Sequence, residues 1–320
     1  MAIGNNLPIV GSKSMGVRTT YGSWLAPGAR VAAYLGPAGI FEDTYSENLR
    51  VSTLAAAAGR VRSGKGDVVF ALPGYAESVS AADYVTLVSG MRLIGLGNVN
   101  ESTAPKLTWT TTAATLLLDV ANVTIENMVL DWAGIDNVAA PITVSAAGCS
   151  LIGNKIVVQS AAASAGADQG VEVAAGGSGF RFLGNDCLSD DEGEPLTGGG
   201  IVEISGAAND VVVADNYLCA AAAATVALVR VSAAATNLRV SRNRVFNLET
   251  TSGAVGILIS SATAQGIVND NYIKVMTGAD PNGADIGLSL NTCTLIGNFN
   301  NYCVDDADLG GLLTEPHAGS

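Results

Sequence analysis

The chain has 320 residues with a net charge of −13, and only 14% of its residues are charged, against about 25% in an ordinary soluble domain. Nucleic-acid binding needs clustered Lys and Arg, so the acidic balance argues against a nucleic-acid partner. The chain is 48% hydrophobic but only 5% aromatic, and it contains 38 glycines, which favours many short strands over a disordered chain or a bulky helical globule.

The first 43 residues predict an extended arm. They are punctuated by Gly and Pro, and the first forty contain Lys and Arg but no acid. Residues 1–65 hold seven basic and three acidic side chains, whereas residues 66–320 hold nine and 26. A basic, aromatic arm on an acidic body suits docking onto another protein, although it could equally fold back over its own body. The candidate partner-binding residues are Lys13, Arg18, Tyr21, Trp24, Arg30 and Tyr34.

Neither secretion nor membrane insertion is expected. Met1 to Asn6 do not form a basic region followed by an apolar one, as a signal peptide would. The longest bland run, Ala220 to Val229, is too short and too rich in Ala to span a bilayer.

Residues 44–65 predict a capping helix. Leu49, Leu54, Ala58 and Val61 recur at helical spacing, with Ser46 as N-cap and Gly64 as stop signal. Such a helix suits the open end of a stack of strands, which would otherwise present unpaired edges.

A repeated phrase of apolar residues, a short polar step and Asn runs through residues 66–304. Its asparagines recur at spacings of 27 to 31 residues. They are Asn127, Asn154, Asn185, Asn216, Asn243, Asn271 and Asn298. Stacked strands use such asparagines as ladders of hydrogen bonds.

Each period also contains two short stretches in which apolar residues alternate with others. One inward column follows the asparagines by two positions, from Val129 to Ile273, with Asn300 in the last repeat. A second set of apolar pairs precedes each phrase, from Leu116/Leu118 to Ile286/Leu288. A unit of about 28 residues without a helical pattern must stack on its neighbours to bury these faces. The sequence therefore predicts an all-β, right-handed, single-stranded parallel β-helix of about nine coils, followed by a tail at residues 305–320.

Two polar columns flank the predicted ladder. Asp215, Arg242 and Asp270 precede three consecutive asparagines. The column that follows the asparagines is Lys155, Asp186, Tyr217, Arg244, Tyr272 and Phe299. Both are interpreted first as surface pairs that set the register of the coils.

Catalysis is the alternative interpretation of the acidic residues. A glycosidase needs two carboxylates facing a groove, and the acidic candidates are Asp186, Asp190, Asp191, Glu192, Glu194 and Glu203. A lyase would use Asp215, Arg242 and Asp270. The single histidine, His317, lies in the tail, and the five cysteines show neither zinc nor disulfide spacing. We therefore expect no catalytic residue, no metal and no cofactor.

Three segments together resemble virion-associated proteins of tailed bacteriophages, which belong to the pectate-lyase-like β-helix superfamily. They are residues 6–18, residues 66–78 and the asparagine-bearing coils. The resemblance implies a structural virion protein, assembled in the host cytoplasm, whose amino-terminal segment attaches to the particle and whose β-helices form homotrimers.

Within that family, tailspikes carry carboxylate catalysis, whereas capsid-decorating (cement) proteins and head fibres do not. The chain departs from tailspikes in being short, without a large second domain. The expectation is thus a non-enzymatic decoration protein bound to the major capsid protein or another virion protein. The alternatives are a head fibre or a tailspike that binds or degrades host surface polysaccharide. A cellular adhesin would require secretion.

Overall fold

A computed structural model shows that the chain forms a parallel β-solenoid, which confirms the predicted fold class. It describes residues 28–37, 47–134, 138–159, 167–189, 195–223, 226–249, 254–275, 286–290, 295–304 and 311–313. Three long sheets run along the solenoid, and the described strands of each pair in parallel except at the carboxyl end.

Sheet 1 has eleven strands. They are β1 (Val31–Leu35), β2 (Arg50–Val51), β3 (Val68–Ala71), β5 (Arg92–Gly95), β8 (Thr124–Glu126), β11 (Ser150–Ile152), β14 (Arg181–Leu183), β18 (Val212–Ala214), β22 (Leu238–Ser241), β25 (Gln265–Asn269) and β28 (Leu295–Phe299).

Sheet 2 has ten strands. They are β4 (Ala76–Val79), β6 (Lys106–Trp109), β9 (Val129–Asp131), β12 (Lys155–Gln159), β15 (Asp186–Ser189), β19 (Tyr217–Ala220), β23 (Arg244–Asn247), β26 (Tyr272–Val275), β29 (Asn301–Val304) and β30 (Gly311–Leu313).

Sheet 3 has seven strands. They are β7 (Leu116–Leu118), β10 (Ile142–Val144), β13 (Val171–Val173), β16 (Val202–Ile204), β20 (Ala227–Val231), β24 (Val255–Ile259) and β27 (Ile286–Ser289). A short pair, β17 (Ala208–Asn209) with β21 (Ala235–Thr236), lies between sheets 3 and 1.

The chain visits the sheets in the order 1, 2, 3 and then starts the next coil. In the described residues, seven consecutive coils place a strand in every sheet, and a partial coil stands at each end. Alternate side chains point inward, so Ile142, Val171 and Val202 stack in register and are fully buried. The period-2 apolar pattern thus becomes one continuous core.

A ladder of buried asparagines joins the coils at the corner between sheets 1 and 2. From Asn185 onward, each Oδ1 accepts hydrogen bonds from the backbone N–H and the Nδ2 of the preceding Asn, at 2.8 to 3.2 Å. Each Nδ2 from Asn154 onward also donates to a backbone carbonyl of the preceding coil. The members are Asn154, Asn185, Asn216, Asn243, Asn271 and Asn301.

Two of the predicted ladder residues were wrong. Met128, not Asn127, donates its N–H to Asn154 Oδ1. The Nδ2 of Asn127 donates instead to the carbonyls of Gly95 and Gly97. At the carboxyl end Asn301 occupies the ladder, and Asn298 accepts a hydrogen bond from its Nδ2.

The position before each ladder residue adopts a left-handed backbone conformation, which explains the displaced register. Gly153 and Gly184 have φ near +60°, and the non-glycine residues there have φ between 54° and 60°. These non-glycine residues are Asn127, Asp215, Arg242, Asp270 and Asn300. Asn tolerates this conformation better than most residues, so Asn127 sits at the corner and only resembles a ladder residue in sequence.

Three column assignments change with this register. The inward column of sheet 2 begins at Leu130 rather than Val129 and ends at Cys303 rather than Asn300. Leu288 pairs with Ile257, so the predicted Ile286/Leu288 pair is displaced by two residues. The outward column ends at Tyr302 rather than Phe299.

The amino-terminal cap, defined as the described parts of residues 28–65, closes one end. Its β1 is inserted between β2 and β3, with Ala33 and Leu35 fully buried. A 3-10 helix, Glu47–Leu49, leads to β2, and only Leu54–Ala58 form an α-helix, α1. Thr53 Oγ1, accepting from Ala56 N–H at 3.2 Å, is its N-cap. In the described part of the predicted range 44–65, the α-helix is therefore limited to Leu54–Ala58, and Gly59 ends it. Ser46 lies outside the described residues.

Candidate functional site

Of the six predicted contact residues of the arm, the structure describes two, Arg30 and Tyr34. Lys13, Arg18, Tyr21 and Trp24 lie outside the described residues. Tyr34 is 3% exposed and its ring stacks on Phe70 with centroids 5.9 Å apart, so it is a core residue of β1 and not a free contact.

Arg30 directly precedes β1 and is held there by hydrogen bonds, although its side chain is 55% exposed. Its backbone N–H donates to Asp67 Oδ1 at 3.0 Å, and its Nη2 donates to the Arg60 carbonyl at 3.1 Å. Arg30 therefore takes part in the junction between β1 and the first coil.

Two members of the predicted column Asp215, Arg242 and Asp270 form an ion pair at the corner between sheets 1 and 2. They are Asp215 and Arg242. Arg242 Nε and Nη2 donate to the two oxygens of Asp215 at 2.7 and 2.6 Å. These bonds lower the pKa of Asp215 and raise the pKa of Arg242. A lyase base would have to lose a proton from this guanidinium, and the pairing opposes that. The geometry therefore favours the interpretation of this column as a register pair.

The acidic candidates do not lie on one sheet. Asp186 is on the outward side of sheet 2, whereas Glu203 is on sheet 3. Asp190, Asp191, Glu192 and Glu194 lie outside the described residues.

Glu203 belongs to a polar cluster on the outer face of sheet 3 that the sequence interpretation missed. Glu172, Glu203 and Arg230 pair in register on three consecutive strands. Ser205 Oγ donates to Glu172 Oε1 at 2.7 Å, and Ser232 Oγ donates to Glu203 Oε1. Arg230 Nε lies 3.6 Å from Glu203 Oε2. Each charged residue sits between the two apolar residues of its pair, and that shared position is the signal from which the column could have been found.

Burial raises the pKa of Glu203, against the lowering effect of Ser232 and Arg230. Its side chain is only 4% exposed, and Oε2 accepts no hydrogen bond from the described residues. The fold thus favours the neutral acid more than water does. The contribution of the neutral Glu203 side chain to the stability of the folded state is fully present below the ordinary pKa of Glu, about 4.5. That contribution is lost as the pH rises through the raised pKa.

Glu203→Gln should therefore gain stability relative to wild type as the pH rises. Gln keeps the acceptor for Ser232 but never becomes an anion, so we expect about 1 kcal/mol in its favour at pH 7 and no advantage at pH 4. Urea unfolding at both pH values measures the difference. An advantage of wild type that grows with pH would show that the Arg230 pair dominates instead.

A row of aromatic rings lies on the outward face of sheet 2. Tyr217, Phe246, Tyr272 and Tyr302 follow one another with centroids 5.3 to 5.7 Å apart. Arg244 pairs in register with Tyr217 and Tyr272. Because the rings pack against each other, their faces are largely occupied and mainly their edges remain for a ligand.

The described cysteines differ in burial. Cys149 and Cys187 are buried free thiols, and burial raises the pKa of both. Cys219 and Cys303 are partly buried, and Cys293 lies outside the described residues. Within the described ranges, no three metal-ligating side chains come together. No described helix has the length and apolar character needed to cross a bilayer.

The sequence matches no protein-family model, and a search of curated proteins likewise finds no match.

Proposed function

We propose that the protein is a non-enzymatic structural component of a bacteriophage virion, a decoration protein attached through its amino-terminal arm. The observation that carries the proposal is the division of charge. Residues 1–65 have seven basic and three acidic side chains, and residues 66–320 have nine and 26. Within the basic segment, residues 1–27 precede the cap and contain Lys13 and Arg18 but no acidic side chain, so they are the part of the chain suited to meet an acidic partner surface.

The solenoid has the regular, repeated contacts expected of a rigid structural element. Its coils are joined by in-register strands and by the asparagine ladder, and each link repeats the one before it. Of the polar side chains weighed for catalysis, Arg242 is paired with Asp215, and Glu203 is 4% exposed with its Oε1 bonded to Ser232. These contacts support a structural role over catalysis.

The arm is tested by deleting residues 1–27. This truncation keeps β1 and the Arg30–Asp67 contacts, so the solenoid should remain folded. We expect binding to virions that lack the protein to fall at least tenfold in co-sedimentation. Lys13→Gln with Arg18→Gln should weaken binding most at low salt, and its difference from the intact chain should shrink at higher salt, which screens the two charges.

Arg242→Gln is the matched control, since it removes one exposed cation from the solenoid and should bind normally. A truncated protein that co-sediments like the intact chain would remove the arm from the proposal. Light scattering of the same samples tests the homotrimer, because a free trimer has three times the 32.2 kDa protomer mass. A protomer mass at working concentration would contradict a stable free trimer.

The alternative is a tailspike that binds host polysaccharide, and the observation behind it is the aromatic row of sheet 2, whose ring edges remain for a ligand. Sugars bind beside aromatic side chains, and Tyr302 is 39% exposed. Tyr272→Ala and Tyr302→Ala should then weaken polysaccharide binding without changing virion attachment. Equal binding by these variants would exclude the row as a saccharide site.

A further inference from the structure

The amino-terminal cap is fastened to the first coil through a buried carboxylate. Asp67, immediately before β3, is fully buried. Its two oxygens accept hydrogen bonds from Arg30 N–H at 3.0 Å and from Arg62 N–H, Nε and Nη2 at 3.0, 2.9 and 2.7 Å. One carboxylate therefore holds the cap both where β1 begins and after α1 ends.

The two arginines extend this attachment into the cap. Arg62 Nη2 also donates to the Gly28 carbonyl at 2.9 Å, and Arg30 Nη2 donates to the Arg60 carbonyl at 3.1 Å. If Asp67 loses its charge, these contacts lose the group that orients both guanidinium side chains.

A second carboxylate holds the start of α1. Glu77 on β4 accepts from Leu54 N–H at 2.7 Å, from Tyr84 OH at 2.7 Å and from Tyr75 OH. The cap is thus joined to the coils by two acidic side chains, in addition to the pairing of β1 with β3. That pairing is itself irregular, with a register shift between Val31 and Ala33.

The buried links of the ladder between later coils are of another kind, although carboxylate–Arg pairs such as the exposed Asp215–Arg242 also join those coils. From Asn154 to Asn301 the buried polar contacts of the ladder are amide hydrogen bonds, which do not titrate. Acid therefore acts on the attachment of the cap and leaves the ladder bonds unchanged.

We propose that the amino-terminal cap is an acid-released unit, which separates from β3 when Asp67 is protonated while the ladder coils stay folded. Release would leave the edge of β3, Val68–Ala71, without its neighbour, and an open strand edge invites pairing with another chain. The proposal concerns the free protein and does not depend on the virion assignment.

The pH range follows from the environment of Asp67. Burial acts to raise the pKa of this carboxyl, but the bonds from Arg62 and Arg30 outweigh it and lower the pKa from 3.8 to about 2. The stabilisation is present above the ordinary value and is lost as the pH falls through the lowered one. Among the described residues, the charged side chains that form hydrogen bonds at this junction are Arg30, Arg60 and Arg62 on the cap and Glu77 on the solenoid.

Hydrogen exchange of Asp67→Asn at pH 7 tests the proposal. We expect exchange in residues 28–35 and 54–62 to rise about tenfold or more, with residues 212–245 unchanged. Asp215→Asn is the matched control, because it removes a similar carboxylate–Arg pair from an exposed corner. Unchanged exchange in the cap would overturn the proposal, as would an equal rise in the ladder coils.

Wild-type protein provides a second measurement that does not depend on the variant folding. Pepsin digestion between pH 4 and pH 2 should begin to cut within residues 28–62 as the pH falls, and leave a core that contains the ladder coils. A cap that resists cleavage to pH 2, or cleavage throughout the solenoid at one pH, would contradict an acid-released cap.

Discussion

Asn216→Ala should destabilise the solenoid by about 4 kcal/mol or more, because it leaves several buried polar groups without partners. The Asn216 side chain accepts from Asn185 N–H and Nδ2 at 2.9 and 3.2 Å. Its Nδ2 donates to the Phe182 carbonyl and to Asn243 Oδ1 at 2.9 and 2.8 Å. Alanine removes all four bonds and admits no replacement donor. Urea or thermal unfolding measures the loss.

Asn298→Ala is the informative comparison, because the sequence interpretation placed both asparagines in one ladder. The side chain of Asn298 accepts a hydrogen bond from Asn301 Nδ2 but lies outside the ladder. We expect a loss of about 1 kcal/mol. Equal losses at the two positions would mean that the ladder bonds do not dominate stability.

Gly206→Ala should cost about 3 kcal/mol or more, since the new methyl group would collide with backbone atoms of the preceding coil. A Cβ at Gly206 would overlap Ala175 N and Ala174 C, and would lie 2.7 Å from Ala175 Cα. Backbone atoms within a packed sheet cannot move aside as a flexible side chain does. Chemical unfolding of the variant measures the effect.

The prediction for Gly206 is a stringent test, because other coils carry alanine at the corresponding position. Ala146 and Ala233 occupy the corresponding position, and each donates its N–H to the preceding coil at 3.1 and 3.2 Å, as Gly206 does at 3.1 Å. From the sequence, glycine and alanine would look interchangeable there. Gly134→Ala is the control, because a Cβ at Gly134 would meet no atom of the described residues within 4 Å, and it should change stability by less than about 0.5 kcal/mol. Similar effects for the two substitutions would refute the steric argument.

The period of the sequence was enough to predict the solenoid. A repeat of about 28 residues with alternating apolar positions has to stack, since no single unit can bury its own face. The inward positions of sheet 3 followed from that alternation in every coil but the last, and the buried Ile142, Val171 and Val202 confirm it. Five of the predicted ladder asparagines, from Asn154 to Asn271, were also correct.

The candidate site was less predictable. The interpretation of Asp215 and Arg242 as a pair was confirmed by their two hydrogen bonds. Tyr34 was assigned to a partner surface because it lies in a segment rich in Gly and Pro, yet tertiary pairing of β1 with β3 buries it. The cluster of Glu172, Glu203 and Arg230 went unnoticed because its members are far apart in sequence, and only stacking of the coils brings them together.

The sequence alone determined that the coils stack and which strand faces turn inward, because burial of alternating apolar side chains has one solution for a short repeat. Only the tertiary structure decided which residues meet across the coils at each corner. Corner residues such as Asn127 and Asn300 take a left-handed conformation, and successive ladder residues are separated by 27 to 31 positions. Loop length absorbs that variation, so contacts follow the hydrogen-bonded register between strands and not the count of residues along the chain.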